Sequence, residues 1–289
     1  MSRIAYVNGR YLPQREAAVN IEDRGYQFGD GVYEVVHIYD GRFVDAELHL
    51  ARLERSLNEI AISMPIARTA MPPIFSELMQ RNRIREGLLY MQVTRGVARR
   101  EHAFPKPAPR PALVMTIRRL APYPRDVVAW AVTAITRRDE RWARCDIKSV
   151  NLLPNVLAKQ AAHEAGAAEA ILIGVDGMVS EGSSSSVWIV DGEGALRTRS
   201  LDHAILPGCT RAALLGLLAE LGMTCEERGF SEQELRRARE IFFTSASSFV
   251  KPVIDLDGAP VGSGEAGPVT RTLFDAFRHH VQGAPRNAP

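Results

Sequence analysis

The sequence predicts an α+β protein of two domains, on three observations. Strand-type runs closed by Asn-Gly and Asp-Gly turns open the chain, and stretches at helical spacing follow them. The second half mixes strands and helices without a regular βαβ order. Between the halves, Ala121-Pro122-Tyr123-Pro124 carries the prolines of a linker. The 289 residues, 46% hydrophobic and 24% charged, can bury a sizeable core. A smaller domain of mixed α/β content is expected over 1–120 and a larger one over 125–281, with 282–289 a disordered tail rich in proline and small or polar residues.

Taken in order, Ile4 to Val7 and Arg10 to Leu12 flank Asn8-Gly9, and Val32 to Tyr39 is followed by Asp40-Gly41 and Arg42 to Val44, so both pairs read as hairpins. Leu50, Leu53, Leu57 and Ile60 recur at helical spacing between Glu47 and Ile62, and Ile74, Leu78 and Ile84 continue more weakly. Strands are expected at Leu88 to Thr94, Ala112 to Ile117, Val127 to Thr136, Ala170 to Val175, Ser186 to Val190 and Ile241 to Thr244. Helices are expected near 152–165, 210–222 and 268–281.

The bulk properties exclude several classes. A formal charge of +2 is too small to make nucleic acid a main partner, despite pairs such as Arg118-Arg119 and Arg236-Arg237. Three cysteines without C-x-x-C spacing argue against a disulfide framework or a zinc site, so a cytoplasmic compartment is expected. No run of roughly 18 apolar residues suggests a membrane span, and His279-His280 reads as a helix-end pair, so no metal is expected.

Lysine is scarce. Of 36 basic residues only Lys106, Lys148, Lys159 and Lys251 are lysines. Arginine stays protonated in water, whereas a desolvated lysine amine can attack an aldehyde. Lys148 stands out because it lies between a strand-like run and a helix-like run, in Cys145-Asp146-Ile147-Lys148-Ser149-Val150-Asn151. A solvated surface lysine is the competing reading. Glu181 begins a hydroxyl-rich loop, Glu181 to Ser186, that leads into an apolar strand, although serines also satisfy ordinary turns. Leu206-Pro207-Gly208-Cys209-Thr210-Arg211 opens a helix whose first N–H groups suit an anion or form an ordinary N-cap. The glycines of Arg24 to Gly31 have the wrong spacing for a dinucleotide fingerprint. Together, an isolated lysine, a later carboxylate and a phosphate-type helix start are what pyridoxal 5'-phosphate asks of a protein: an amine for the aldehyde, an acid for the ring nitrogen and N–H donors with an arginine for the phosphate.

Several motifs carry a resemblance over nearly the whole chain: Glu22 to Glu34, His49-Leu50-Ala51-Arg52-Leu53, Val93-Thr94-Arg95-Gly96, Cys145 to Ser149 with Asn151-Leu152-Leu153, and Glu181 to Ser185. In them the chain resembles the fold-type IV pyridoxal-phosphate enzymes, and among these the D-amino-acid aminotransferases. The resemblance implies the two-domain fold-type IV architecture and a transaminase that moves the amino group of a D-amino acid to a 2-oxo acid. Lys148 would form the Schiff base with the cofactor and shuttle the proton, while Glu181 would pair with the pyridine nitrogen. Arg52, Thr210 and the amides of Cys209 and Thr210 would hold the phosphate, with Ala246 on the other phosphate loop, and Leu206 would pack on the ring. Tyr33, Arg100 and His102 would bind the substrate carboxylate. The family places the last two in the neighbouring subunit, which implies a homodimer with shared sites. Strand alternation puts Val35 and His37 on the face of Tyr33, so they would line the same pocket unless that face is core.

Three positions depart from the family pattern. Ser186 replaces a usual asparagine, Trp188 a smaller aromatic, and Ala246 a phosphate-binding threonine. The Ala246 amide could still donate, so altered cofactor affinity is expected there more than lost function. The rival enzymes are the branched-chain aminotransferases, the R-selective amine transaminases and the aminodeoxychorismate lyases, which share the cofactor residues and differ in the carboxylate trap. A protein that binds the cofactor for regulation or storage without turnover is the rival of another class.

Overall fold

The computed structural model describes residues 3–283. Contacts divide the chain into two units. One runs to Pro122 and takes in Ile147–Asn151, and the other holds Tyr123–Asp146 and Leu152–Val281. The chain thus leaves the first unit at Pro122, returns to it for five residues at Ile147–Asn151, and leaves again.

In the first unit, an antiparallel sheet of six strands among the described residues has the order β2-β1-β6-β5-β3-β4. Its strands are β1 (Ile4–Val7), β2 (Arg10–Pro13), β3 (Gly31–Tyr39), β4 (Arg42–Phe43), β5 (Gly87–Thr94) and β6 (Ala112–Arg119), and its helices are α1 (Arg24–Phe28), α2 (Ala46–Glu59) and α3 (Met71–Asn82). Both expected hairpins form, with Tyr6 opposite Tyr11 and Ile38 opposite Phe43. Leu50, Leu53 and Leu57 of α2 and Phe75 and Leu78 of α3 are fully buried in one core with Val32, Val36 and Ile38 of β3. The returning segment joins this core through Ile147.

The second unit holds a sheet of nine strands among the described residues, in the order β12-β11-β10-β13-β14-β7-β8-β9 with β15 on β14. They are β7 (Val132–Arg138), β8 (Glu169–Ile173), β9 (Val179–Gly182), β10 (Ser186–Val190), β11 (Leu196–Thr198), β12 (Glu226–Glu227), β13 (Glu240–Ser245), β14 (Phe249–Leu256) and β15 (Ala259–Pro260). The helices are α4 (Leu153–Glu164), α5 (Cys209–Glu220), α6 (Glu232–Arg236) and α7 (Pro268–Gly283).

Three local expectations change, and β14 is a strand additional to those expected. Val128–Trp130 form a 3₁₀ turn instead of opening a strand, because Asp126 accepts from the Val128 amide and the Trp130 indole donates to the Ser248 carbonyl. β14 crosses Pro252, which ordinarily argues against an inner strand. It is tolerated because pairing with β7 begins only at Val253. β7 and β8 are parallel with α4 in the connection between them, and β11 and β12 are parallel with α5 in theirs, so two βαβ crossovers sit in an otherwise mixed α+β order. Finally, Gln282 and Gly283 end α7 instead of starting a disordered tail. The helix ladder, nucleated on buried Leu273, Phe274, Phe277 and Val281, carries past its last apolar residue. The rest of that expected tail lies outside the described residues. Among the described residues, no helix is long and apolar enough to cross a membrane.

Candidate active site

In the first unit, Lys148 is placed by backbone pairing. Segment 147–151 lies antiparallel to the start of β3: the Lys148 carbonyl accepts from the Tyr33 amide at 3.0 Å, the Val150 amide donates to the Gly31 carbonyl at 3.1 Å, and Ser149 bridges Val32. Asn151 donates to the Gly29 carbonyl, and Gly29 sits at φ 67, where a Cβ would meet the Asn151 side chain at 2.1 Å. Only glycine serves there, because the position combines a left-handed turn with a close approach. The Lys148 Nζ then lies 4.4 Å from the centroid of the Tyr33 ring, which stacks on Tyr90 at 5.8 Å.

β3 alternates as expected. Tyr33 and Val35 are half-buried on one face, while His37, on the same face, is enclosed at 3% exposure. The other face carries Val32, Val36 and Ile38 and, among them, Glu34. A carboxylate buried in an apolar face needs partners. Arg52 supplies a two-pronged pair, Nε to Oε1 at 2.7 Å and Nη2 to Oε2 at 2.8 Å, and His49 Nδ1 lies 2.7 Å from Oε2. Burial works against the Glu34 charge, but Arg52 and then His49 bring its pKa down to about 2. Helix α2 thus presents Arg52 one turn after His49, both buried against the sheet. The sequence motifs contain Glu34 and His49 but mark no role for either. The parity of Glu34 with Val32, Val36 and Ile38 is the signal that could have found it.

Arg100 and His102 are brought together on Phe28. The Arg100 guanidinium lies 5.1 Å from the Phe28 centroid, and the His102 ring lies 5.4 Å from it. Tyr33, for its part, is grouped with Tyr90 and Lys148.

In the second unit, Glu181 lies buried in β9. Its carboxylate takes an ion pair from Arg141 and a hydrogen bond from the Leu206 amide at 3.2 Å. Arg141 is shared: it grips Asp139 through Nε at 2.9 Å and Nη2 at 2.8 Å and donates to the Ala204 carbonyl. Burial disfavours its charge, but the Asp139 hydrogen bonds and the Glu181 charge outweigh that and raise its pKa. Ser180 in turn donates to Asp139 at 2.6 Å. In so arginine-rich a chain no sequence signal marks Arg141. The serines after Glu181 have a common acceptor that sequence reasoning also missed. Glu169 takes hydrogen bonds from Ser183, from Ser184 at 2.9 Å and from Ser185 at 3.2 Å, with the Lys159 amine 3.4 Å away.

Helix α5 begins at Cys209 behind Gly208, which gives no side-chain cap to the first amides, and Thr210 is buried in the first turn. Uncapped N–H groups and a hydroxyl at a helix start suit a phosphate. A Cβ on Gly208 would stand 2.9 Å from the Ser186 hydroxyl, so Ser186 lies against this turn. Trp188 is accommodated by a hydrogen bond from its indole N–H to Thr244 at 2.9 Å and by stacking on Phe242 at 5.6 Å. Ala246 lies in the β13–β14 turn, where the Ser245 hydroxyl meets those of Ser247 at 3.2 Å and Ser248 at 2.7 Å. A lysine beside an aromatic ring, a buried carboxylate with a guanidinium partner and an uncapped helix start are the donor and acceptor types that pyridoxal phosphate needs.

The amino-transferase class IV family matches residues 31–256. The D-alanine aminotransferase of Bacillus licheniformis is 43% identical over 274 residues, covering 95% of each chain. That of Staphylococcus haemolyticus is 39% identical over 277 residues, covering 96% of this chain and 97% of its own. Among solved structures, the branched-chain amino acid aminotransferase of Thermoproteus uzoniensis with norvaline superposes with a TM-score of 0.83 at 24% identity, covering 96% of this chain and 94% of its own. The Escherichia coli branched-chain enzyme gives 0.87 at 23%, covering 96% and 94%. At such identities both speak for the fold.

Proposed function

The chain belongs to the amino-transferase class IV family, and from that premise we propose that it is a pyridoxal-phosphate-dependent transaminase that moves the amino group of a D-amino acid such as D-alanine to a 2-oxo acid such as 2-oxoglutarate. The observation that carries this reading is the 43% identity, across 95% of both chains, to a D-alanine aminotransferase. Branched-chain enzymes share the fold at lower identity, which favours the D-amino-acid reading over theirs.

Bound pyridoxal phosphate supplies the aldehyde that receives the amino group and a ring that withdraws electrons. Lys148 would be the amine that holds it and, with Tyr33 beside its Nζ, the base that would move the substrate's α-proton. Glu181, ionised against Arg141, holds a proton on the ring nitrogen and so favours the charge that develops during reaction. Arg52, set by Glu34, and the α5 start with Cys209 and Thr210 hold the phosphate, assisted by the Ala246 backbone. Leu206 donates its amide to Glu181, and its side chain would pack against the ring. Tyr33, Arg100 and His102 form the carboxylate trap, and Val35 and His37 belong to the same strand face as Tyr33.

The chain works as a homodimer in the cytoplasm, with Arg100 and His102 of one copy serving the other, while Tyr33 serves beside its own Lys148. Ile21 and Tyr26, 79% and 76% exposed, and Phe104 offer apolar surface in the unit that carries Arg100 and His102. Offering D-alanine, L-leucine and a chiral primary amine with 2-oxoglutarate tests the activity, and D-alanine should react fastest. Faster turnover of L-leucine would move the chain to the branched-chain reading.

A further inference from the structure

We propose that Asp30, acting through Arg24 and Arg95, is the positioning residue of the loop that carries Arg100 and His102, and thereby sets selectivity for substrates that bear a carboxylate. The inference rests on the trap assignment above. Asp30 receives Arg24 Nε at 2.7 Å on Oδ2, Arg95 Nε at 2.7 Å on the same oxygen, and Arg95 Nη2 at 3.0 Å on Oδ1. Both guanidiniums are buried. Burial opposes the Asp30 charge, but hydrogen bonds from Arg95 and Arg24 hold its carboxyl below the ordinary range. It therefore stays ionised and keeps both arginines in place.

Each arginine spends its remaining donors on backbone. Arg24 Nη1 donates to the Glu101 carbonyl and Nη2 to the His102 carbonyl at 3.3 Å, so it grips the trap loop between its two functional side chains. Arg95 reaches the Ile60 carbonyl at 2.7 Å and the Ala61 carbonyl at 3.1 Å, tying the cluster to the end of α2, and its guanidinium lies 3.7 Å from the Phe104 centroid. The Arg24 guanidinium also lies 4.8 Å from the Phe28 ring on which Arg100 and His102 rest. One carboxylate thus orders both the backbone of the trap and the platform under its side chains. The bidentate fork geometry makes this a job that lysine would not do.

The experiment compares Asp30→Asn, Arg24→Gln and Arg100→Ala holoenzymes on D-alanine and on ethylamine, which is D-alanine with hydrogen in place of the carboxylate. Asp30→Asn and Arg24→Gln should each raise KM for D-alanine roughly tenfold with a smaller change in kcat. The single-turnover absorbance change with ethylamine should stay as in the wild type. Amide hydrogen exchange should quicken in the peptide that spans 98–104 and remain unaltered in β5 and β6. Should Asp30→Asn not fold, Arg24→Gln decides alone, because it leaves the Asp30–Arg95 pair intact. Equal losses on D-alanine and ethylamine, or an unchanged KM in both positioning variants while Arg100→Ala is impaired, overturn the inference and leave the trap standing. An unchanged KM in Arg100→Ala removes the trap and this inference together.

Discussion

Arg141 places a guanidinium nitrogen directly on the Glu181 carboxylate, and both side chains are buried. Asp139 takes Nε and Nη2 of the same guanidinium, so the three groups carry one net negative charge. Burying a pair is no guarantee of stability, but removing one partner leaves the other's charge uncompensated. Arg141→Leu should therefore destabilise the protein by roughly 3–5 kcal/mol in denaturant titration, and a loss below about 1 kcal/mol would show that solvent already screens the pair.

Glu181→Gln keeps the shape and the Leu206 hydrogen bond but removes the charge that, on the proposed function, keeps the ring nitrogen protonated. We expect kcat to fall more than KM rises, with a shifted visible absorbance of the bound cofactor. A change confined to KM would reduce Glu181 to uniform binding.

Lys148 should be the residue labelled when the holoenzyme is reduced with borohydride and mapped by peptide, and Lys148→Arg should lose turnover, because guanidinium does not form the bond. Label on Lys159 or Lys251 would contradict the assignment. Lys251 is the sharper control, since burial lowers its pKa.

Glu34 makes the fold sensitive to acid. Its pKa in the folded chain, about 2, lies below the ordinary glutamate value of 4.5, so the stabilisation is complete above 4.5 and is lost as pH falls towards 2. Glu34→Gln should be destabilised by roughly 3–5 kcal/mol near neutral pH and should lose this acid-dependent part of the stability curve. Superimposable pH–stability curves for the wild type and Glu34→Gln would contradict it.

Cys145 belongs to the motif around Lys148, yet its thiol should be inert. Burial, with further help from Glu181 and Asp139, pushes it up to about 11 against the opposing charge of Arg141, and it donates to the Trp142 carbonyl at 3.1 Å. At about pH 8 only on the order of a thousandth is thiolate. Iodoacetamide should alkylate Cys145 in denatured protein and leave it unmodified in native protein over the same time. Rapid native labelling would contradict this.

By itself the sequence determined the features whose causes are local. Turn chemistry set the Asn8-Gly9 and Asp40-Gly41 hairpins, helical spacing set α2, period-two alternation set the face of Tyr33 and Val35, and the scarcity of lysine singled out Lys148. The tertiary structure decided which charges meet. Asp30 and Arg95 lie 65 residues apart in sequence and Arg141 and Glu181 lie 40 apart, and nothing in a periodic pattern says which arginine of many will reach a given carboxylate. It decided also that 147–151 pairs with β3 and that β14 crosses Pro252, because ladder partners, unlike turns, are supplied by distant strands. A long-range ion pair depends on burial from every neighbouring element at once, and that information exists only once the chain has closed on itself.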